Sequence, residues 1–247
     1  MDNRAAIHIS NANFGYTKHK TSVDILKNIT LKFGKGEFIG VAGLNGSGKS
    51  TLLRSVCGLL PLLKGDVSIN GISLSELSAS ELAKQASIVL TEKISGFNLN
   101  CYDAVAAGQM PYTNIFNALE PEHKKIINSA IEACGLLLHQ NKLLTELSDG
   151  LFQKTMIAKC IAQQTPVMLL DEPSAFLDYA SKHELFLLLK SLAEKDNKCI
   201  LVSSHDLDLV LKYCHKVLLV KNSTAELIPI EEARWHTVFK ELSGGYL

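Results

Sequence analysis

The chain has 247 residues, of which 47% are hydrophobic and 20% charged, and 25 lysines and arginines balance 25 aspartates and glutamates. This composition is typical of one large globular domain, or of one domain with a smaller insertion, and it excludes a disordered, collagen-like or disulfide-stapled chain. The zero net charge argues against nucleic acid as a main partner, because non-specific nucleic-acid binding needs clustered positive charge.

The chain has no segment of the roughly 20 consecutive apolar residues that a membrane-spanning helix needs, although its mean hydropathy is +0.13. Residues 1–4 do not introduce the apolar core of a signal peptide, so we expect the protein in the cytosol. The six cysteines form no C-x-x-C pair and have no zinc-site spacing with histidine. We expect them as free thiols in or near the core.

Strand and helix signals alternate along most of the chain. In order, the predicted strands cover residues 7–10, 29–33, 38–42, 67–69, 87–90, 167–170, 199–203 and 217–220, the last being the final strand. The predicted helices cover residues 49–59, 81–86, 102–108, 122–134, 152–163, 181–194, 207–213 and 231–239. The alternation predicts an α/β fold with a mostly parallel sheet, and residues 91–164, where strand signals vanish, form an inserted helical region.

A glycine-rich loop connects the predicted strand at 38–42 to a helix, and it fits the pattern G-x-x-x-x-G-K-[ST]. Small residues let the backbone N–H groups surround phosphates, and the helix that follows adds its positive end. Lys49 can reach the β- and γ-phosphates, and the Ser50 hydroxyl suits Mg²⁺. A glycine turn without a ligand is the alternative reading. The expected nucleotide-binding residues are Gly43, Asn45, Gly46, Ser47, Gly48, Lys49, Ser50 and Thr51.

Two carboxylates, Asp171 and Glu172, end the apolar strand at 167–170. Open α/β sheets bind their ligands at the carboxyl ends of strands. We therefore expect Asp171 to hold Mg²⁺ and Glu172 to polarise the attacking water. The alternative is a polar strand end before Pro173.

Three further motifs accompany these two: LSDGL at 147–151, SAFLD at 174–178 and SHD at 204–206. Together and in this order, the motifs resemble the nucleotide-binding subunit of an ATP-binding-cassette (ABC) transporter over nearly the whole chain. The resemblance implies a P-loop NTPase with an N-terminal antiparallel β subdomain and an inserted α-helical subdomain. In a single domain spanning residues 1–247, residues 1–90 and 165–247 would form the core, and about 91–164 the helical subdomain.

The resemblance also implies a mechanism in which two copies of the chain sandwich two ATP molecules. Ser148 and Gly150 of one copy would meet the γ-phosphate bound by the other, and Asp178 would couple the two sites. His205 would contact the γ-phosphate and the attacking water, which makes it catalytic together with Lys49 and Glu172. Tyr16 is placed where the family stacks an aromatic ring on adenine. Phe14 is close to it, and an aromatic residue at a strand end is commonly just packing.

Three residues depart from the family pattern. Glu92 stands where the family has a glutamine that touches Mg²⁺; a carboxylate can also bind Mg²⁺, unless the loop has shifted and Glu92 is merely solvated. Asp149 and Leu151 replace a glycine and a glutamine of LSGGQ. Our hypothesis is that Asp149, which suits a helix N-terminus, points away from the phosphate and that hydrolysis is retained. The alternative is a subunit that clamps ATP without hydrolysing it.

Residues 102–112, which end in GQMPY, resemble the G-R-x-P-[YH] segment of cassettes that serve iron–siderophore, haem and cobalamin importers, with Gln109 in place of the arginine. This favours a type II importer with a polytopic permease and a substrate-binding protein. The chain would then be a peripheral subunit at the cytoplasmic face of the membrane. A cassette of another transporter type and a soluble, non-transport ABC protein are the alternatives.

Overall fold

The computed structural model describes residues 5–18, 21–90, 98–113, 118–233 and 236. In this part of the chain the strands are β1 (Ile7–Lys18), β2 (Thr21–Phe33), β3 (Phe38–Ala42), β4 (Lys64–Ile69), β5 (Ile72–Ser73), β6 (Ala86–Val89), β7 (Val167–Leu170), β8 (Cys199–Ser203), β9 (Lys216–Lys221) and β10 (Thr224–Pro229). The α-helices are α1 (Lys49–Val56), α2 (Ala79–Gln85), α3 (Cys101–Ala106), α4 (Pro121–Ala133), α5 (Asp149–Ala162), α6 (Tyr179–Asp196), α7 (Leu207–Tyr213) and α8 (Ile230–Ala233). Short 3-10 helices cover Leu74–Glu76, Ala107–Tyr112, Leu137–His139 and Leu144–Glu146.

The strands form two sheets. The larger sheet has the order β10-β9-β3-β8-β7-β6, and its neighbours are parallel except for β9 and β10. The smaller sheet, β2-β1-β4-β5, is antiparallel. The predicted α/β fold, with a mostly parallel sheet and an antiparallel sheet near the N-terminus, is therefore confirmed. Helices α3, α4 and α5 lie between β6 and β7 in the chain.

The larger sheet separates two layers of buried apolar side chains. Successive strand residues point to opposite faces, so Phe38 and Ala42 of β3 join one layer and Ile39 and Val41 join the other. The first layer contains side chains of α3 to α7, and the second contains α1 and the antiparallel sheet. Because the central strands are buried on both faces, they read in the sequence as continuous apolar runs.

The N-termini of α5 and α6 are capped by side chains, whereas that of α1 is not. The Ser148 hydroxyl caps α5 by accepting a hydrogen bond from the Leu151 N–H at 3.4 Å. The Asp178 carboxylate caps α6 by accepting one from the Ser181 N–H at 2.8 Å. Helix α1 begins after Gly48 without a side-chain cap, which leaves its first turn suited to an external anion.

The strand predicted at 217–220 is confirmed as β9, but the expectation that it is the last strand was wrong, because β10 follows it. The turn between them uses Asn222 and Ser223 at φ 52° and 61°. This geometry is that of a tight hairpin turn, but the pair lacks the glycine by which such turns are recognised in a sequence. The predicted helix at 49–59 is also shorter, ending at Val56. Of the predicted helix at 231–239, residues 234, 235 and 237–239 lie outside the described residues.

All six cysteines are buried free thiols, as predicted. Burial raises the pKa of Cys57 to about 12 and that of Cys160 to about 11, so these thiols are inert packing groups. In the described residues, none of the helices has both the length and the apolarity to cross a membrane.

Candidate functional site: a phosphate loop facing two strand-end carboxylates

Lys49 lies inside the glycine-rich loop. Its Nζ donates hydrogen bonds to the carbonyls of Gly43 at 2.8 Å and Leu44 at 3.2 Å, and the side chain is buried. Burial lowers the pKa of Lys49, while the nearby carboxylates of Glu172 and Asp171 counteract part of that effect. The loop thus surrounds an ammonium group whose charge faces the ends of β7.

Two glycines give the loop its path. A Cβ on Gly43 would lie 2.4 Å from the Val220 carbonyl oxygen and 2.6 Å from the Ser47 hydroxyl, which leaves no room for a side chain. Gly48 has φ 110°, a conformation that only glycine adopts readily, and α1 starts directly after it. The glycines of the motif therefore serve the close turn that a phosphate loop needs.

Asp171 and Glu172 follow the last residue of β7, and Ser203 ends the neighbouring strand β8. The Ser203 hydroxyl donates to Asp171 Oδ1 at 2.8 Å and accepts a hydrogen bond from the Glu172 N–H at 2.9 Å. Asp171 and Ser203 are almost completely buried. One serine therefore joins both carboxylate residues, and Ser203 was not predicted as a site residue from the sequence.

Glu172 combines backbone strain with a perturbed side chain. Its φ is 50° although Pro173 follows it, and the residue before a proline is normally extended. Such a conformation costs on the order of 1–3 kcal/mol and is common at active sites. Burial raises the pKa of the Glu172 carboxyl, and the charges of His205 and Lys49 lower it by less. A carboxylate with a raised pKa is a better proton acceptor near neutral pH.

His205 faces Glu172 across the ends of two strands. Its Nε2 lies 3.1 Å from Glu172 Oε1, and its side chain is 56% exposed. A cavity of about 150 Å³ lies between the histidine and the loop before α1. It is lined by Gly43, Leu44, Asn45, Ser204, His205 and Leu207. Of the predicted catalytic residues, His205 lines this cavity, Lys49 donates to two residues that line it, and Glu172 lies against His205. Three segments that are distant in the chain thus come together next to the cavity.

The donor set fits a nucleotide and Mg²⁺. The Ser47 hydroxyl oxygen is buried and has no hydrogen-bond partner in the described part of the chain, a state that an added phosphate oxygen would relieve. No group of three His, Cys, Asp or Glu side chains able to hold a metal occurs among the described residues. Mg²⁺ is usually held by one or two carboxylates and the substrate's phosphates, so Asp171 and Ser50 suffice only when a nucleotide is bound.

Tyr16 is linked to the first turn of α1, which follows the glycine-rich loop. Its hydroxyl lies 2.8 Å from the Thr51 hydroxyl, while its side chain is 44% exposed. Phe14, which is close to Tyr16 in the sequence, is fully buried in the core, so Tyr16 is the more exposed of the two aromatic rings.

The LSDGL segment lies at the start of α5. Asp149 is the first residue of that helix and is exposed, where its charge complements the positive end of the helix. A Cβ on Gly150 would lie 3.0 Å from the Phe176 carbonyl oxygen, so this segment packs against the residues that follow Glu172. In the described part of the chain, Ser148 thus accepts from Leu151, and Gly150 lies against Phe176.

The GQMPY segment packs against the end of α5. The Gln109 side chain is buried and donates to the Ala162 carbonyl, and the Tyr112 hydroxyl donates to the Gln163 carbonyl at 2.9 Å. Glutamine thus serves here as a donor to helix-terminal carbonyls, a role that arginine can also fill. Glu92, the third predicted metal ligand, lies outside the described residues.

Sequence analysis did not predict the ion pair of Lys182 beside His205 or the hydrogen bonds of Ser203. Lys182 Nζ lies 2.7 Å from Asp206 Oδ2, which ties the start of α6 to the residue after His205. Ser203 was missed because its partners are 32 and 31 positions away in the chain. The sequence does show that Ser203 ends a buried strand. It does not show that β8 lies beside β7, which is what brings Ser203 to Asp171 and Glu172.

Comparison with known proteins identifies the family. The model of the ABC transporter family matches residues 26–175. The chain belongs to the ABC transporter family. This cassette carries the family's ATPase domain, and the family resemblance predicted from the sequence motifs is confirmed.

Relatives of the cassette include an uncharacterized ABC transporter ATP-binding protein of Methanocaldococcus jannaschii, MJ0873, which is 41% identical over 80% of this chain and 68% of its own. The petrobactin import ATP-binding protein FpuC of Bacillus anthracis is 30% identical over 89% of this chain and 81% of its own. The iron(3+)-hydroxamate import ATP-binding protein FhuC of Bacillus subtilis is 30% identical over 81% of this chain and 74% of its own.

A solved structure shares the cassette's fold. The dimeric structure of MJ0796, a bacterial ABC transporter cassette, has a TM-score of 0.81 and 26% identity, and the match covers 91% of this chain and 98% of the other. The same cassette is also known as a dimer in a post-hydrolysis state bound to ADP and Pi, with a TM-score of 0.79.

Proposed function

We propose that this chain is the ATP-hydrolysing subunit that powers import of a chelated metal compound, such as an iron–siderophore, haem or cobalamin, across the cytoplasmic membrane. The proposed ATP hydrolysis is supported by the convergence of Lys49, Asp171, Glu172 and His205 next to one cavity. The cargo class rests on the GQMPY segment and on the import proteins to which the chain is similar.

In this proposal the glycine-rich loop binds the phosphates of ATP. The backbone of Gly43 to Gly48 surrounds them, with Asn45, Gly46 and Ser47 in the loop and Ser50 and Thr51 in the first turn of α1. Lys49 exchanges its hydrogen bonds to two loop carbonyls for contacts with the β- and γ-phosphates. Its positive charge then stabilises the charge that develops as the γ-phosphoryl group leaves.

Mg²⁺ would be held by the Ser50 hydroxyl and by Asp171, with Glu92 as a further proposed ligand. The metal supplies charge neutralisation on the phosphate oxygens. Asp171 is suited to this role because it is buried and its Oδ1 is fixed by Ser203. Its carboxylate therefore needs little reorganisation when the metal binds.

Glu172 acts on water in this scheme. Its carboxylate accepts a proton from the water molecule whose oxygen attacks the γ-phosphorus, and the bond to the bridging oxygen breaks to leave ADP and phosphate. His205, whose Nε2 lies 3.1 Å from Glu172 Oε1, stands next to this carboxylate and contacts the γ-phosphate. The raised pKa of Glu172 supports the role of proton acceptor.

The adenine ring would stack on Tyr16. The Tyr16 hydroxyl is bonded to Thr51, the residue after the two phosphate-binding side chains of α1. The platform for the base is thus fixed relative to the site for the phosphates, so binding orders little that is not already ordered.

A second copy of the chain would complete each site. Ser148 and Gly150 lie at the start of a 14-residue helix, a suitable position for binding an anion, and they contact Leu151 and Phe176 within the chain. We propose that they meet the γ-phosphate held by the other copy, with Asp178 coupling the two sites. The dimeric cassette with the same fold supports this arrangement.

The remaining partners follow from the transport assignment. We propose polytopic permease subunits above the dimer, a substrate-binding protein outside, and a peripheral location at the cytoplasmic face of the membrane. Residues 1–90 and 165–247 would form the core and about 91–164 the helical subdomain, in which GQMPY packs on α5.

Co-purification and uptake test this function. The tagged chain, purified from solubilised membranes, should bring a multi-spanning permease with it. The reconstituted complex should accumulate a ferric siderophore, haem or cobalamin in vesicles only when ATP is supplied on the side of this chain, and a Lys49→Ala complex should not. Uptake of none of the three by an ATP-hydrolysing complex would contradict the cargo class, and absence of any permease would favour a non-transport ABC protein.

A further inference from the structure

Ser203 occupies the junction of the two strands that carry the hydrolytic residues. β7 and β8 are parallel neighbours with Leu170 opposite Val202, so the next residues, Asp171 and Ser203, lie side by side at the strand ends. The Ser203 side chain is completely buried, and its hydroxyl lies 2.8 Å from Asp171 Oδ1 and 2.9 Å from the Glu172 nitrogen. No predicted site residue and no family motif identified in the sequence includes this serine as a functional group.

The chemistry of the three groups fixes the direction of both hydrogen bonds. The Glu172 N–H can only donate, so the Ser203 oxygen accepts from it. The Asp171 carboxylate accepts, so the hydroxyl hydrogen points to Oδ1. A single hydroxyl thereby ties a carboxylate to the backbone of the residue that follows it, and neither bond can reverse.

The bond to Glu172 also supports an unusual backbone. Glu172 has φ 50° directly before Pro173, a conformation that persists only when its surroundings determine it. The N–H held by Ser203 belongs to this residue, and the direction in which the Glu172 side chain leaves the backbone depends on the same peptide. Ser203 therefore influences where the carboxylate near His205 lies.

We propose that Ser203 is a positioning residue for ATP hydrolysis, which holds Asp171 and Glu172 in a fixed relation to each other without touching the nucleotide. The inference rests on the proposed roles of these two carboxylates. The alternative is that Ser203 only stabilises the core, as a buried, hydrogen-bonded serine commonly does.

Ser87 offers a matched control. It is also buried on a strand of the same sheet, and its hydroxyl lies 2.7 Å from that of Thr165 and 2.8 Å from the Cys160 sulfur. Its strand position pairs with Met168, three residues before Asp171. Ser87→Ala therefore removes comparable buried hydrogen bonds without changing the proposed site.

The test compares Ser203→Ala, Ser203→Thr and Ser87→Ala in the complete chain. Ser203→Ala should lower kcat and raise the Mg²⁺ concentration for half-maximal activity, each by about 10- to 100-fold, the effect typical of a residue that orients a metal ligand. At saturating Mg²⁺, the KM for ATP should change by less than about threefold, since substrate binding is not what such a residue supplies. Ser203→Thr, which keeps the hydroxyl, should restore most of kcat, and Ser87→Ala should lower thermal stability alone.

Binding of a fluorescent ATP analogue supplies a readout that does not need hydrolysis. In wild type, Mg²⁺ should strengthen this binding. In Ser203→Ala, the Mg²⁺ concentration that gives half of the strengthening should rise by about 10- to 100-fold, while binding without Mg²⁺ persists. If Ser203→Ala behaves like Ser87→Ala in kcat, Mg²⁺ requirement and analogue binding, the proposal is overturned. A wild-type chain that binds the analogue with Mg²⁺ but never hydrolyses ATP would instead contradict the proposed function.

Discussion

The Nε2 atom of His205 lies 3.1 Å from Oε1 of Glu172, which joins the segment after β8 to the segment after β7. The glutamate is the less exposed partner, with 20% of its side chain accessible against 56% for the histidine. The partly buried carboxylate is placed to accept a proton, and the more exposed imidazole lies within contact distance of it.

Hydrolysis should show an acid limb set by Glu172. Burial raises the pKa of its carboxyl, and the charges of His205 and Lys49 oppose only part of the rise, while Asp171 adds to it. Because the ionised form accepts the proton, kcat should fall as the pH drops through this raised pKa. The fall should occur at a higher pH than the ordinary glutamate value of about 4.3.

The measurement is kcat at saturating Mg²⁺ and ATP between about pH 4 and pH 9. The residual rate of Glu172→Gln serves as the control, because it lacks the titrating carboxyl and should not show this limb. A limb at the ordinary glutamate pKa, or the same limb in both proteins, would contradict the role of Glu172.

Lys49→Ala should abolish hydrolysis. The variant removes a buried ammonium group placed between the loop carbonyls and the carboxylates, so kcat should fall by at least about 100-fold. Steady-state phosphate release measures this, with Lys35→Ala, an exposed lysine in the turn before β3, as the control. Turnover like that of wild type in Lys49→Ala would exclude the phosphate-binding role of the loop.

Glu172→Gln should trap an ATP-bound dimer. The substitution removes the proton acceptor but keeps the shape of the side chain, so ATP should bind and remain. Size-exclusion chromatography with ATP and Mg²⁺ should show a dimer for Glu172→Gln and a monomer for the double variant Lys49→Ala/Glu172→Gln. A monomer in both cases would contradict the sandwich in which Ser148 and Gly150 complete the partner's site.

Tyr16→Ala should weaken ATP binding by roughly 5- to 150-fold, the effect of losing about 1–3 kcal/mol of base stacking. Tyr16→Phe keeps the ring and loses only the bond to Thr51, so it should bind ATP more tightly than Tyr16→Ala does. Titration with inorganic tripolyphosphate separates the base from the phosphates, and Tyr16→Ala should bind it as wild type does. Equal losses for ATP and tripolyphosphate would show that Tyr16 acts through Thr51 and not on adenine.

The parts of the site that are local in the chain could be predicted from the sequence. The loop from Gly43 to Ser50 and the strand end at Asp171 are short segments whose residue types follow directly from strand, turn and helix rules. The α/β alternation was equally accessible, because the central strands are buried on both faces and appear as continuous apolar runs.

Contacts that depend on strand order and register could not be predicted in this way. The Ser203 bridge requires β8 to lie beside β7 with Leu170 opposite Val202. The Tyr16–Thr51 bond spans 35 positions and follows irregularities in the pairing of β1. β1 and β2 also extend well beyond the predicted segments, since their exposed residues and bulges break the alternation that marks a strand.

The most direct test of the proposed hydrolytic mechanism is steady-state ATP hydrolysis by the purified wild-type protein, in complex with its permease, compared with Glu172→Gln. With Lys49, Asp171, Glu172 and His205 gathered at one cavity and Asp149 exposed, wild type should turn over ATP about 100-fold or more faster than the variant, as expected for loss of a general base. Wild-type hydrolysis no faster than that of Glu172→Gln would contradict the proposed hydrolytic mechanism.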